Sequence, residues 1–417
     1  MWDPYGEFQS ETLPNGLTVH AAHWPERPWE MMGFLVHSGA EYDPVGLEGL
    51  SHFVEHLVSG NANVPTKEME AFFEDRGGWV NLGLTGYPYT YYLFSLPADR
   101  EILAKAFSMF GHMLLSAKLE KFIERERQIV ISEFYRQFPM KFKLDLEIRK
   151  HKALYSGCWL ERSVRTFGNP ESVSRIGKRD LQSYYDKHYT PANMSVVGVG
   201  AMRLTELVEL LSESPFATRK EGKRTQLPVP VADIALPLEN RYVLEASKYV
   251  NPPIQVGAYQ SSAKIPGNIN GCVIRIMRKM LDEVLNEEVR ERRAWAYAVG
   301  SSQHNFRHFY EFSIDCAALA LKAIDNIEEV MEACVASMSD REDLFEHVKR
   351  RALANSFMID STGKGICEGS LEDLADRQRI ISLKEIKEDL ERVTMSDIVN
   401  ALQWLRPERR WTVITKP

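Results

Sequence analysis

The chain has 417 residues, 44% of them hydrophobic and 26% charged, with a formal net charge of −7. Those proportions suit a soluble globular protein with material for about two domains. Mild acidity excludes a nucleic-acid platform, which needs concentrated Lys and Arg. No apolar run approaches the ~18 residues of a membrane span.

The amino terminus, MWDPYGEFQSETLPNG, lacks a basic start followed by an apolar core, so no secretory signal is predicted. Strands are expected near 16–23 and 31–38. The stretch EGLSHFVEHLVSGN, residues 48–61, follows. On a helix, with His52 at 0°, Glu55 falls at about −60° and His56 at about +40°. All three side chains then leave one face, where two imidazoles can hold a metal beside a carboxylate. Phe53, Val54 and Leu57 lie mostly on the other side and can anchor the helix to a core. Pro44, Gly46 and Gly49 suit a tight turn into it.

Next, GGWVNLGLTGYPYTYYLF (77–94) reads as two strands. Pro88 cannot donate to a ladder and so places the second strand at an edge or bulge. A hydrolytic zinc site commonly takes two His and one carboxylate from the protein, so a third ligand is expected elsewhere. IERERQIVISEF (123–134) carries Glu126 and Glu133 seven positions apart, on one helix face. Ile129, Val130 and Ile131 predict that this helix is largely buried. Buried carboxylates are costly unless paired or metal-bound; a helix edge with salt-bridged glutamates is the alternative reading. The basic run from Arg136 to Lys152 reads as a solvated helix face.

DLQSYYDKHYTPANMSVVGVG (180–200) and DIVNALQWLRPERRWTVIT (397–415) share one order: helix, proline, Val-rich or Thr-Val-Ile strand. Pro191 and Pro407 mark the same point in each, which predicts a duplicated α/β unit. Residues 215–240, with four prolines and a charged Gly-containing patch, read as a linker. The expected organisation is domain 1–214, linker 215–240 and a homologous domain 241–417. In the second domain, strands near 241–246 and 254–260 precede a helix at about 268–290. Strands clustered early and helices late in each half predict an α+β fold. The second half has no HxxEH, its matching helix reading NGCVIRIMRKML, so one metal site per chain is expected. Cys158, Cys272, Cys316, Cys334 and Cys367 form no CxxC pair and read as reduced thiols in a cytoplasmic protein.

HSGAEYDPVGLEGLSHFVEHLVSGN followed by ERERQIVISEF resembles the pitrilysin family of zinc peptidases, the inverzincins, whose HxxEH inverts HExxH. The chain resembles the short form of that family, similar to the mitochondrial processing peptidase subunits. The resemblance implies two homologous domains of mixed β-sheet covered by helices. It implies His52, His56 and Glu133 as ligands of one Zn²⁺ and Glu55 as general base. Glu126 then stands behind the ligands as an orienting carboxylate. EEVRERRAWAYAVGSS (287–302) resembles the family stretch that completes the site with an Arg and a Tyr, here Arg290 and Tyr297. Ala294 and Trp295 depart from the family's usual Gly and aliphatic residue. Asn81 matches the family Asn that helps position the substrate, while Leu82 replaces a usual Ala.

The function implied is that of a zinc-dependent endopeptidase with water activated by Zn and Glu55. It would hydrolyse peptides or unfolded segments in an enclosed chamber. A homodimer, or a heterodimer with a related chain, is expected, with no nucleic-acid or membrane partner. The alternative is a non-catalytic peptide-binding or scaffold subunit of a heteromeric peptidase complex.

Overall fold

The computed structural model describes residues 3–60, 64–225, 235–249, 256–355 and 362–417. Backbone contacts divide the chain into two units. The first comprises Met1–Pro139, Ser163–Pro228 and Asp360–Leu383; the second comprises Met140–Arg162, Val229–Ile359 and Lys384–Pro417. Each is an α+β layer built on one mixed sheet. No helix among the described residues is long and apolar enough to cross a membrane.

In the first unit, strands β1 (Phe8–Thr12), β2 (Thr18–His23), β3 (Trp29–Val36), β4 (Trp79–Thr85), β5 (Thr90–Pro97) and β6 (Met194–Gly200) pair in the order β1-β2-β6-β3-β5-β4. Only β2 and β6 run parallel. β3 and β6 are covered on both faces, which is why they read as continuous apolar runs. One face carries an aromatic cluster in which Phe34 packs on Phe94, Phe107, Phe110 and Phe216. On the other face, Leu35, Leu93, Val197 and Val199 cluster with Ile366, Cys367, Leu371 and Leu374 of helix Gly363–Arg377. That helix lies so close that a Cβ on Gly33 would stand 2.6 Å from Leu371 Cδ1.

The second unit repeats the plan. β7 (Arg241–Glu245), β8 (Gly257–Pro266), β9 (Ala298–Phe306), β10 (Phe309–Leu319) and β11 (Arg410–Lys416) pair in the order β7-β11-β8-β10-β9. β7 and β11 are parallel and the other pairs antiparallel. Strand for strand, this is β2-β6-β3-β5-β4 of the first unit. Helix Lys141–Leu154 places Phe142, Leu146 and Ala153 against Leu244, Trp411 and Val413. Its Lys150 is buried and pairs with the buried Glu311 at 2.7 Å, and Tyr155 Oη donates to the same carboxylate.

Several expectations need correction. The two units are not serial blocks 1–214 and 241–417, because the amphipathic helices Lys141–Leu154 and Gly363–Arg377 each bury their apolar residues on the other half's sheet. The linker does not begin at 215: Pro215–Thr218 is a helical turn whose Phe216 is fully buried on Phe34. Residues 226–234 of the expected linker lie outside the described residues. The run Arg136–Lys152 is not simply solvated, since Lys150 and His151 are buried. Pro88 lies in the turn before β5, so its missing N–H costs no ladder bond and β5 is an inner strand. The edge and the bulge both fall on β4.

Candidate metal centre

Helix Leu50–Ser59 carries His52, Glu55 and His56. Asp43 fixes where it begins: its two carboxylate oxygens accept from the backbone N–H groups of Gly49 (2.7 Å) and Ser51 (2.8 Å). These are among the donors that a helix start leaves unsatisfied. Gly49 sits at φ +94°, and a Cβ there would meet Phe167 O at 2.5 Å, so the turn requires glycine. Phe53, Val54 and Leu57 are buried in the first unit's core, which turns the His52/His56 face outward from it.

Helix Ile123–Gln137 lies beside it. It is less buried than expected: Val130 and Phe134 are inside, but Ile129 is 40% exposed. Glu126 and Glu133 share a face, and both reach His56. His56 Nδ1 donates to Glu126 Oε2 at 3.2 Å, and His56 Nε2 lies 3.8 Å from Glu133 Oε2. The same Glu133 oxygen is 3.6 Å from His52 Nε2. Glu55 Oε2 is also near, 3.8 Å from His52 Nε2. Among the described residues, His52, Glu55 and His56 form the one group of three potential ligands whose donor atoms lie within 4.8 Å of one another.

Two imidazole nitrogens thus converge on one carboxylate oxygen. Tetrahedral ligands at zinc bond lengths of ~2.0–2.2 Å stand ~3.3 Å apart, and separations of 3.6 and 3.8 Å need only a slight contraction to match. The donor set fits zinc. Two carboxylates stand near the third position: Glu133 has an oxygen within 4 Å of both Nε2 atoms, while Glu55 comes within 4 Å of His52 Nε2.

The surroundings of Glu55 come from β4. The strand bulges between Asn81 and Leu84, and the Asn81 Oδ1 accepts from Gly83 N–H at 3.0 Å, bracing the bulge. Gly83 has φ +153°, and a Cβ there would stand 2.2 Å from Glu55 Oε1. Thr85 Oγ1 donates to Glu55 Oε2 at 3.4 Å. The missing side chain at 83 is therefore the space that Glu55 occupies. A cavity of about 410 Å³ opens over the group, lined in part by Asn81, Leu82, Leu84 and Thr166.

Taking the protein groups by themselves, burial is the first influence on each histidine. It pushes His52 down to about 3, with the neighbouring His56 acting the same way. Burial also acts to lower His56, but the hydrogen bond to Glu126 and the nearby carboxylates of Glu133 and Glu55 outweigh it and hold His56 up at about 10. Burial pushes Glu55 up to about 7. Glu133 is lowered, chiefly by the His56 imidazole beside it. Glu126 is lowered too: burial opposes, and His56 and Arg125 prevail, Arg125 donating to Glu126 Oε1 at 2.6 and 2.9 Å. A strongly polarised two-imidazole, three-carboxylate cluster in a partly buried cleft is a functional-site signature.

Six of the expected site residues, His52, Glu55, His56, Asn81, Glu126 and Glu133, are thus gathered in the first unit. Arg290 and Tyr297 belong to the second. Arg290 lies on a π-helical segment, Asn286–Arg292, that prolongs helix Gly271–Leu285, and its guanidinium stands 5.4 Å from the Tyr297 ring centre. Tyr297 is 80% exposed. Between them Ala294 adopts φ +49°, where a glycine would sit unstrained. Asp43, Gly83 and Thr85 were not singled out from sequence; the Gly inside the strand pattern at 79–85 was the available signal for the bulge.

Residues 19–166 match the family model described as Insulinase (Peptidase family M16), and residues 175–352 match that described as Peptidase M16 inactive domain. A probable mitochondrial-processing peptidase subunit beta of Arabidopsis thaliana is 27% identical over 205 residues, 49% of this chain and 38% of its own. A Rickettsia felis protein named an uncharacterized zinc protease is 22% identical over 406 residues, 94% of this chain and 93% of its own. A solved protease from Helicobacter pylori has the same fold, with a TM-score of 0.80 at 17% identity over 98% of this chain and 99% of that one. The chain spans less than half the length of the first curated relatives it matches.

Proposed function

Since the chain belongs to peptidase family M16, we propose that it is a zinc-dependent endopeptidase acting in the cytoplasm on peptides or unfolded segments. The observation that carries this reading is the convergence of His52 Nε2 and His56 Nε2 on one oxygen of Glu133, with Glu55 alongside. His52, His56 and Glu133 would hold the ion, and Glu126 orients His56 through Nδ1. When bound, zinc supplies Lewis-acid polarisation of the scissile carbonyl and acidifies water.

The chain's own residues do the rest. Glu55, braced by Thr85 and given room by Gly83, takes the proton of the attacking water and returns it to the departing amine. The free edge of β4, beside the cavity, offers backbone donors and acceptors to an extended peptide, with Asn81 fixing the bulge at its start. Arg290 and Tyr297 are proposed as donors to the developing oxyanion, because guanidinium and phenol both donate hydrogen bonds. A dimer, of two such chains or with a related chain, would close the chamber.

Two measurements test this reading. Metal analysis of the purified protein should give about one zinc per chain, sharply reduced by Glu133→Gln. Glu55→Gln should keep the zinc and lose turnover of a peptide library by roughly 10² or more. A Glu55→Gln variant that cleaves as fast as the parent overturns the proposal.

A further inference from the structure

The second unit holds a cavity of about 440 Å³ whose lining includes neither the histidine cluster nor Arg290 and Tyr297. Its walls are largely aliphatic: Val335, Val399, Leu402 and Leu405 line it with Pro407. Two arginines, Arg406 and Arg410, and one carboxylate, Glu332, supply its charge.

Arg410 is 2% exposed, and burying a guanidinium is costly unless its donors are filled. They are not. Its Nε is buried and donates to nothing among the described residues. Nη1 reaches Tyr259 Oη only at 3.5 Å, and Nη2 reaches Glu332 Oε1 only at 3.5 Å. Charge-assisted bonds of good geometry are ~2.7–2.9 Å. Glu332 is itself 41% exposed, so water weakens its hold further. Arg406 is exposed and has no ion-pair partner among the described residues.

The duplication supplies an independent argument. Pro191 and Pro407 each open a 3₁₀ turn, Pro191–Asn193 and Pro407–Arg409, and the residue after each turn begins the matching strands β6 and β11. In the first unit that residue is Met194, fully buried. In the second it is Arg410. The fold accepts a methionine at this point, so the charge is not a requirement of the architecture.

We propose that this cavity is a binding site for a short aliphatic carboxylate, whose oxygens accept from Arg410 and whose tail lies among Val335, Val399, Leu402 and Leu405. A carboxylate matches the fork of a guanidinium bidentately, and Arg406 tips the cavity's formal charge to positive against the single Glu332. The chemistry is shared by free fatty acids and by the carboxy-terminal residue of a peptide ending in an aliphatic side chain.

The test is a titration of the intact zinc-loaded chain, by calorimetry, with hexanoate, hexanol, N-acetyl-leucine and N-acetyl-leucine amide. Both carboxylates should bind saturably, and hexanol and the amide should not. Tighter binding of hexanoate assigns the site to free acids; tighter binding of N-acetyl-leucine assigns it to peptide termini. Arg410→Met, which copies the first unit, should fold and weaken binding by at least about tenfold, the scale of a lost charged hydrogen bond. Val399→Glu, at a 42% exposed wall position, should weaken it likewise by repulsion. Since a carboxylate can also reach zinc, binding must persist in Glu133→Gln. No saturable binding, binding untouched by both cavity variants, or binding lost in Glu133→Gln alone overturns the assignment.

Discussion

His56 is held between two carboxylates of one helix: Nδ1 donates to Glu126 Oε2 at 3.2 Å, while Nε2 faces Glu133 Oε2 at 3.8 Å. The first contact fixes the tautomer and the plane of the ring; the second places its other nitrogen at the centre of the cluster. Outer carboxylates of this kind tune ligand basicity and commonly contribute 10–100-fold in metal affinity. Glu126→Gln should therefore weaken zinc binding by about that factor in competition with a chelator, while Glu133→Gln costs more. Equal affinity in Glu126→Gln and parent would remove Glu126 from the site.

Gly83 gives a sharper probe of Glu55. A methyl group at 83 would overlap the Glu55 carboxylate, 2.2 Å from Oε1, in a backbone conformation at φ +153° that side chains avoid. Gly83→Ala should displace Glu55 without touching His52, His56 or Glu133. Zinc content should stay near that of the parent and kcat fall by roughly 10². Loss of zinc together with activity would mean that the bulge supports the ligands rather than the base.

Arg290 and Tyr297 can be tested by complementation. Glu55→Gln and Arg290→Ala should each be inactive alone. If the proposed dimer shares its sites between chains, mixing the two under conditions of subunit exchange gives mixed dimers with one intact site each. Activity should then return to about a quarter of the parent's in a random mixture. Verified exchange without recovery would confine each site to one chain.

Acid stability should report the Lys150–Glu311 pair. Burial acts to raise Glu311, but Lys150 and the Tyr155 hydroxyl prevail and lower it to about 2. A carboxyl lowered in the folded state stabilises fully above its unfolded value near 4.5 and loses that contribution as pH falls toward 2. The urea midpoint of the second unit should decline over that window, by an amount corresponding to roughly 3 kcal/mol. Glu311→Gln should be less stable than the parent at pH 7 and nearly flat between pH 5 and 2. A parallel decline in both proteins would show that other groups drive acid unfolding.

The central trio was readable because one helix carries it: 100° per residue puts His52, Glu55 and His56 on a face whose back, Phe53, Val54 and Leu57, is plainly apolar. Glu126 and Glu133 were readable as a pair for the same reason, and their spacing survives although their helix is more exposed than Ile129–Ile131 suggested. The duplication marked by Pro191 and Pro407 was readable too, and the two sheets share a strand pattern, though no local signal announced the order itself. What escaped was tertiary. Nothing local to Gly83 announces that its absent side chain makes room for a glutamate 28 positions earlier. Pro88 falls just before β5 rather than in it, a shift of two residues that moved the edge to the wrong strand. Nor does an amphipathic helix carry a mark of the sheet it will cover, and so Lys141–Leu154 and Gly363–Arg377 were assigned by proximity in the chain.

That exchange of helices limits how the molecule can be divided. A break introduced anywhere in 226–234 leaves an amino-terminal fragment without Ile366, Cys367, Leu371 and Leu374, and so with one face of its sheet, at Leu35, Leu93, Val197 and Val199, bare to solvent. The carboxy-terminal fragment loses Phe142, Leu146 and Ala153 from around Trp411. Neither piece carries a whole core, and each holds the part that finishes the other. Nicked chains would stay married through their sheets, and separately made fragments would be sticky alone and companionable together.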